Sequence, residues 1–217
     1  MRVAPIGLYL GGRDMPSFDV DMVGAETAAL THGHDLGYTP AAALVHIVNM
    51  VSHSTVPLLS AVEDAKNALK FEFAQAEHLP KMIMLIDKAI ELSNESIDDL
   101  DAIRELGKGW VAEETLAIAI YCSLKHQNDF EKAIIAAVNH SGDSDSTGAV
   151  TGNILGAYLG FSAIPQKYID NLELKNTIIE LADDLYNDCQ MSEYGKYRDP
   201  IWILKYIEHS YPLNNNV

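Results

Sequence analysis

The 217-residue sequence predicts an all-α fold, a compact helix bundle formed as one domain over residues 1–217. Three observations support this prediction. Apolar residues recur every three to four positions in successive blocks, which is the spacing of one face of an α-helix. Proline stands near the start of several blocks, where its missing N–H costs least. No segment alternates apolar and polar residues for long enough to favour a strand.

The first half of the chain is predicted from periodicity and proline. Residues 1–21 are expected to be apolar and then irregular, with helical periodicity beginning near Met22. After that point, a proline is expected to open each of three helices. These prolines are Pro40, Pro57 and Pro80.

The second half is predicted from capping residues and breaks. Ser96, with Asp99 three residues later, resembles a capping box, and Asn128 is expected to cap the helix that follows it. The two glycines in residues 107–109 should break the chain before a helix over residues 110–126. Two to three further helices are expected within residues 166–172, 174–188 and 200–208.

Composition limits what the chain can do. Hydrophobic residues make up 48% of it, enough for a sizeable core. The formal net charge of −16 argues against a nucleic-acid groove, because phosphate contacts need clustered Lys and Arg. No apolar run approaches the roughly 20 residues that cross a bilayer, so no membrane partner is expected. Cys122 and Cys189 do not make a disulfide framework, and we expect a cytoplasmic protein.

Residues 140–160 form the most informative stretch. A helix is predicted there, with glycines four residues apart at positions 148, 152, 156 and 160. Such a spacing places them on one ridge of the helix. Each interior glycine costs about 0.8–1.0 kcal/mol relative to Ala, so the ridge needs a reason. We expect Gly152 and Gly156 to face a neighbouring backbone at close range.

Two aspartates and three hydroxyl side chains precede this helix, from Asp143 to Thr147. Plain helix capping is the favoured interpretation of this cluster by itself. The functional interpretation is a hard-cation site, because carboxylate and hydroxyl oxygens suit Mg²⁺ or Mn²⁺. Alternation along an extended turn would point Asp143 and Asp145 at one ion. An EF-hand is excluded because Ile154 stands where Glu is required.

The same cluster has a weaker alternative interpretation. Its Asp-x-Asp-x-Thr order matches the nucleophile motif of haloacid-dehalogenase-like phosphatases. That motif should end a strand and precede several βα units, but residues 130–138 are predicted to be helical.

Three stretches together resemble the ADP-ribosylglycohydrolase family, which includes the dinitrogenase-reductase-activating glycohydrolases. They are residues 1–10, residues 31–48, and residues 107–124 followed by 139–160. The resemblance implies that family's all-α orthogonal bundle with a pair of Mg²⁺ or Mn²⁺ ions. It also implies metal-assisted hydrolysis that releases ADP-ribose from a modified protein side chain or a related conjugate. Its partner is then an ADP-ribosylated protein or an ADP-ribose conjugate.

The resemblance also implies site residues. Asp143, Asp145 and Ser146 match the family's metal motif, with Ser146 where the family usually has Thr. His32 matches a Thr-His motif beside the nucleotide, although a histidine bonded to backbone at a helix end is the commoner case. A metal pair of His32 with His34, as in amidohydrolases, lacks the barrel strands it needs. The other substrate-binding positions implied are Tyr38, Gly109, Trp110, Ser141 and Gly142.

Trp110 has two interpretations. It follows a Gly-x-Gly turn and is positioned to cover an adenine ring. Burial in the core is, however, the commoner fate of a tryptophan.

One departure from the family pattern matters. The family's Gly-Asp segment, catalytic Glu, Thr-Asp-Asp motif and glycine-rich loop do not occur in this sequence. The chain is therefore expected to correspond to the C-terminal part of a family member, with its catalytic residues unknown and a complementing N-terminal chain as one possible partner. Glu113 and Glu114 are interpreted as a solvated first-turn pair.

Two hypotheses stay open on the sequence alone. The first is a metal-dependent ADP-ribosyl hydrolase that is incomplete as this chain. The second is a non-catalytic ADP-ribose-binding or interaction module. If the remaining metal ligands come from within this chain, five acids are the first candidates. They are Asp14, Asp19, Asp21, Glu113 and Glu114.

Overall fold

A computed structural model describes residues 1–13, 15–187 and 200–208. The all-α prediction is confirmed, because these ranges contain helices and no strand. The chain divides into two compact units, Met1–Pro165 and Gln166–Val217. The single domain over residues 1–217 stays a prediction. Asp14, the last position of the helix expected over 174–188, and Cys189 lie outside the described residues.

The described part of the first unit contains α-helices joined by short loops, and a 3₁₀-helix, Phe161–Ala163, follows the last of them. The α-helices are α1 (Ala4–Leu10), α2 (Ser17–Ala29), α3 (Asp35–His53), α4 (Leu58–Glu72), α5 (Leu79–Asn94), α6 (Asp99–Leu106), α7 (Ala112–Lys125), α8 (Phe130–Val138) and α9 (Ser144–Leu159).

Helix α3 is the centre of this unit. It packs against α1, α2, α4, α5, α7 and α9, so its apolar run is buried on nearly every side. Helix α7 is the second inner helix and packs between α5, α8 and α9. A helix that is apolar around its whole circumference has to be an inner helix, which explains these two positions.

The first two helices are the main correction to the sequence prediction. Residues 1–21 are not irregular, because α1 occupies Ala4–Leu10 and α2 begins at Ser17 rather than near Met22. The buried face of α2 includes Gly24 and Asp21. A buried face made largely of small residues and one acid gives almost no hydrophobic periodicity.

Small residues let α1 and α2 approach α3 closely. A Cβ on Gly7 would lie 2.6 Å from the Val45 carbonyl oxygen, and one on Gly24 would lie 2.7 Å from the Val45 side chain. Close backbone approach is therefore real in this protein, but it occurs at glycines that the sequence did not single out.

Proline and cap assignments were partly wrong. Helices α4 and α5 begin beside Pro57 and Pro80 as expected. Pro40 does not open a helix, because α3 starts five residues earlier and carries this proline in its second turn. Its cost is one lost hydrogen bond, and tertiary packing of α3 outweighs it. The caps of α6 and α8 are Asp98 and Asp129, whose carboxylates accept backbone N–H bonds, rather than Ser96 and Asn128.

The glycine ridge on α9 is also a correction. A Cβ on Gly156 would meet no described atom within 4 Å, and one on Gly152 would only touch the Ile134 side chain at 3.8 Å. Gly148 is close to the Val138 side chain, and Gly160 ends the helix with a φ of 79°. No neighbouring backbone packs on the ridge in the described structure, so the expectation of close approach there is wrong.

In the second unit, helices occupy the three expected regions. They are α10 (Gln166–Asp170), α11 (Lys175–Tyr186) and the short α12 (Pro200–Trp202), which continues as a π-helical turn over Ile203–Ile207. Lys205 pairs with Glu180 at 2.8 Å and also with Asp184, which ties this turn to α11.

None of the helices in the described ranges is long and apolar enough to cross a membrane. The cytoplasmic location stays a prediction.

Candidate functional site

A cavity of about 820 Å³ lies in the first unit, where the segments that lead into α3, α7 and α9 meet. This volume is in the range of pockets that enclose small ligands. Much of its wall is aliphatic. The polar and charged side chains that line it are Arg2, His32, His34, Glu113, Thr115, Asp143 and Ser146.

The structure brings together several of the residues that the sequence singled out. The following five line the cavity: His32, Gly109, Trp110, Asp143 and Ser146. The other four are not part of its wall: Tyr38, Ser141, Gly142 and Asp145. Tyr38 belongs to α3 rather than to a loop, and its ring packs on Phe73 with ring centroids 6.0 Å apart.

Two loops support the cavity from behind by direct backbone contact. The Asp143 N–H donates to the Lys108 carbonyl oxygen at 2.7 Å. A Cβ on Gly142 would lie only 1.8 Å from that same oxygen, so no other residue fits there without movement. Gly109 has a φ of 75° and faces the Thr147 side chain. The glycines before α7 and α9 therefore serve the close approach that the sequence analysis assigned to α9 itself.

Glu114 holds the first of these loops. Its Oε2 accepts hydrogen bonds from the N–H groups of Lys108 at 2.9 Å and Gly109 at 3.1 Å. Thr115 adds a bond from its hydroxyl to the Gly109 carbonyl oxygen at 2.8 Å. Glu114 is thus bound to backbone amides, and its interpretation as a solvated residue is wrong.

Glu113 is not solvated either. It is buried, lines the cavity, and accepts a bond at 2.9 Å from Lys81, which is itself half-exposed. This hydrogen bond raises the pKa of Lys81. The first turn of α7 therefore supplies one residue to the cavity wall and one to the loop behind it. Adjacent helix positions point about 100° apart, so one of these two acids had to face away from the other. The sequence does not show which of them faces the cavity.

The oxygen cluster lies at the start of α9. Asp143 occupies the N-cap position, but its side chain makes no capping hydrogen bond. Asp145 is exposed in the first turn, and Ser146 is buried. The side chains of Asp145 and then Ser146 hold the pKa of Asp143 below its usual value. The backbone N–H of Ser146, in the first turn of α9, contributes to the same lowering of the pKa.

This donor set fits a hard cation. Within the described ranges, neither Asp143 nor Asp145 forms an ion pair with Lys, Arg or His. Two neighbouring carboxylates and a hydroxyl group offer the oxygen atoms that a divalent cation such as Mg²⁺ prefers as ligands. No third acidic or histidine ligand atom joins them within 4.8 Å in the part of the chain that the structure describes. The three residues thus offer only part of one coordination shell.

Thr147 anchors the cluster to the helix before it. Its hydroxyl donates to the Ala137 carbonyl oxygen at 2.7 Å and lies 2.9 Å from the His140 Nε2. Burial lowers the pKa of His140. Because α8 leads directly into this turn, the phosphatase interpretation fails: its motif must follow a strand, and Phe130–Val138 is a helix.

In the cavity wall, His32 is held by a side chain rather than by backbone as expected. Its Nδ1 lies 2.8 Å from the Thr31 hydroxyl, which also accepts a bond from Arg2 at 2.6 Å. The Nε2 of His32 has no partner among the described residues. Arg2 is the single Arg or Lys side chain in the lining that the structure describes.

Trp110 lies at the cavity and is 68% exposed, so the core position that is commoner for tryptophan does not apply to it. A large exposed indole beside a cavity presents a flat apolar face that suits a planar ligand.

Sequence analysis missed a polar cluster inside the unit. His46 lies in the middle of the apolar α3 and contacts Asp21 through Nδ1 at 2.6 Å and Asp64 through Nε2 at 3.0 Å. His46 and Asp21 are almost fully buried. Burial alone would lower the pKa of His46, but the two acids outweigh it and raise the pKa. The available signal was one histidine in an otherwise apolar helix.

A comparison with protein families gives one match. A model described as ADP-ribosylglycohydrolase matches residues 1–195 of this chain.

Individual proteins give weaker but consistent similarity. The ADP-ribosylhydrolase ARH3 of Bos taurus is 28% identical over 214 residues, which is 88% of this chain and 57% of that protein. An uncharacterized protein of Archaeoglobus fulgidus is 31% identical over 86% of this chain and 56% of its own length. The ADP-ribosylarginine hydrolase Tri1 of Serratia proteamaculans is 33% identical over 50% of this chain and 27% of its own. This chain spans little more than half the length of the first two.

Proposed function

Because this chain belongs to the ADP-ribosylglycohydrolase family, we propose that it acts in hydrolysis that removes ADP-ribose from a modified protein side chain or a related conjugate. The observation that carries the proposal is one cavity that unites three separate motif segments. His32, Trp110 and the pair Asp143 and Ser146 all line it. The names of two relatives, an ADP-ribosylhydrolase and an ADP-ribosylarginine hydrolase, support the same reaction class.

The cavity offers a complementary group for each part of ADP-ribose. Trp110 presents its ring for the adenine, and stacking of a base on an aromatic side chain is worth about 1–3 kcal/mol. Arg2 supplies positive charge for the diphosphate, where an otherwise acidic wall would repel it. The Nε2 of His32 is available for a ribose hydroxyl, because its Nδ1 is engaged by Thr31.

Asp143, Asp145 and Ser146 are the proposed ligands of a Mg²⁺ or Mn²⁺ ion, one of a pair in the complete site. When bound, such an ion supplies positive charge that orients ribose hydroxyls and a water molecule. The chain's own contribution is rigid placement. The bond from Asp143 to Lys108 and the bonds of Thr147 fix the start of α9 before any ligand arrives.

We propose further that turnover needs carboxylates from outside this chain, in cis or from a complementing chain. Three ligand groups do not neutralise two divalent ions, and the other acid of the cavity wall, Glu113, is engaged with Lys81. The same shortage favours the second candidate function, binding of ADP-ribose without hydrolysis.

Two measurements on the 217-residue chain separate these functions. Calorimetric titration with ADP-ribose in the presence of Mn²⁺ measures binding, and release of labelled ADP-ribose from a modified protein measures turnover. The release assay is repeated with a second chain that supplies the upstream segment of a family relative. The test variant is Asp145→Ala, with the exposed Glu91→Ala on α5 as its matched control.

We expect ADP-ribose binding by the chain alone, no release by the chain alone, and release after complementation that Asp145→Ala abolishes and Glu91→Ala does not. Release by the chain alone would overturn the need for outside carboxylates. Absence of ADP-ribose binding, with or without complementation, would overturn the proposed site itself.

A further inference from the structure

A second group of ligand atoms lies outside the oxygen cluster. His34 and Asp35 stand at the start of α3, and His78 immediately precedes α5. One ligand atom from each of these three side chains lies within 4.8 Å of the other two. In the part of the chain that the structure describes, no other three side chains of His, Cys, Asp or Glu meet this condition.

We propose that His34, Asp35 and His78 form a binding site for a late first-row divalent cation of the Zn²⁺, Co²⁺ or Ni²⁺ class. Two imidazole nitrogens with one carboxylate match the preference of these metals, whereas Mg²⁺ and Mn²⁺ prefer oxygen ligands. The site therefore differs in chemistry from the cluster of Asp143, Asp145 and Ser146.

The distances suit a small metal ion. The Asp35 Oδ1 lies 2.9 Å from the His34 Nδ1 and 3.0 Å from the His78 Nδ1. Tetrahedral zinc with bonds of about 2.0–2.1 Å separates its ligand atoms by roughly 3.4 Å. These two separations need to open by roughly 0.4–0.5 Å, and the two rings are already adjacent, with centroids 4.7 Å apart.

The carboxylate is held in place by backbone. Asp35 accepts hydrogen bonds from the N–H of His78 at 2.6 Å and from the N–H of Leu36 at 2.9 Å. A ligand that is fixed by a second set of bonds loses less freedom on binding metal, which raises affinity. These bonds also join residues that are far apart in sequence before any ion binds.

Both nitrogens already lie beside the carboxylate that would share the ion. The His34 Nδ1 is 2.9 Å from the Asp35 Oδ1 and 3.1 Å from the Leu36 nitrogen, and it binds a metal in its unprotonated form. If it turned to a metal, the Leu36 N–H would keep its bond to Asp35. Both rings are substantially exposed, so a fourth position stays open to water or to another ligand.

The three side chains come from the starts of two different helices. His34 lines the cavity, while His78 lies at the start of a different helix. An ion at this position would cross-link the starts of α3 and α5 at the cavity rim.

Cobalt provides the direct test. Titration of the metal-free 217-residue chain with Co²⁺ should produce the intense visible absorption of a tetrahedral site with nitrogen ligands, and added Zn²⁺ should displace it stoichiometrically. Excess Mg²⁺ is present throughout, and the titration is repeated with Asp145→Ala, so that the oxygen cluster does not contribute. The variants are His34→Gln and His78→Gln, with His53→Gln on the exposed end of α3 as the matched control.

We expect each of the two variants to weaken Zn²⁺ binding at least tenfold and to abolish the cobalt band, since loss of even an outer-shell partner typically costs about 10–100-fold. The control and Asp145→Ala should retain both signals. The proposed site would be overturned if the cobalt band persists in His78→Gln, or if the parent chain shows no cobalt band. Thermal unfolding should also shift upward with Zn²⁺ in the parent chain and not in His78→Gln, because a ligand that binds only the folded state stabilises it.

Discussion

Two groups of acids in the first unit have opposite surroundings. In the buried cluster, the side chain of the buried His46 lies between the buried Asp21 and the more exposed Asp64, and Glu72 is a partly exposed fourth member. The cavity cluster is formed by Asp143 and Ser146 in the cavity wall and by Asp145 outside it, and no Lys, Arg or His side chain pairs with either acid in the described structure. The buried cluster has a histidine partner within the chain, whereas we propose that the positive charge for the cavity cluster comes from outside it.

This difference separates structural acids from candidate ligands. A buried carboxylate is tolerated only when it is paired or protonated, and His46 is the partner of the Asp21 Oδ2. Partly exposed carboxylates that are close together and unpaired keep that capacity. Of the other acids considered as ligands within this chain, Glu113 is paired with Lys81 and Glu114 with backbone amides. Asp14 is not described.

The largest expected effect is on the buried cluster. His46→Leu keeps the volume of the side chain but leaves Asp21 buried and unpaired, which should cost about 3–5 kcal/mol of unfolding free energy. Urea denaturation measures it. Asp145→Asn in the cavity cluster is the matched change and should alter stability by less than about 0.5 kcal/mol.

The double variant Asp21→Leu with His46→Leu sharpens this prediction. Since it removes the buried charge together with its partner, it should recover most of the stability lost in His46→Leu. If His46→Leu is as stable as the parent chain, Asp21 is not dependent on this histidine and the contrast between the clusters is wrong.

The next effect concerns the support of the cavity cluster. Gly142→Ala places a methyl group 1.8 Å from the Lys108 carbonyl oxygen, so one of the two loops has to move, at an expected cost of about 1–3 kcal/mol. Gly156→Ala on α9 is the control and should stabilise by up to about 1 kcal/mol, because the added methyl group meets no described atom and Ala favours the helix. Equal melting temperatures for the two variants would contradict the loop contact described above.

The smallest effect is a pH dependence in the buried cluster. Burial, with the charge of Asp21 in second place, raises the pKa of Glu72 from 4.5 to about 7. The folded state therefore binds this proton more tightly than the unfolded state. The stability that this proton contributes is fully present below pH 4.5 and is lost as the pH rises through about 7.

Glu72→Gln removes this dependence. The difference in unfolding free energy between the variant and the parent chain should favour the variant more at pH 8 than at pH 5. We expect this change to be on the order of 1 kcal/mol, after allowance for the partial exposure of Glu72. Chemical denaturation at both pH values measures the difference, and Glu91→Gln on the surface of α5 controls for the general effect of removing one charge from an acidic protein. A difference of the opposite sign would mean that Glu72 is stabilised as a carboxylate.

The sequence by itself determined the fold class, most of the inner helices and the segments that line the cavity. Apolar periodicity over α3 to α9 is strong because these helices bury aliphatic side chains, and local composition is enough to show that. The motif segments around His32, Gly109 and Asp143 could also be recognised from their residues alone. They share one cavity because α3, α7 and α9 pack together.

Tertiary structure alone decided the rest. Helix α1 and the start of α2 escaped prediction because α1 is short and the α2 surface that packs on α3 is made largely of small residues. The glycines that matter, Gly7 and Gly142, are identified by a neighbouring backbone from a distant part of the chain, and not by their spacing. In the same way, the sequence does not distinguish the surroundings of Asp21 from those of Asp143, because both are aspartates. Asp21 has His46 bonded to it, whereas Asp143 has no ion pair among the residues that the structure describes, and this gives them different chemistry.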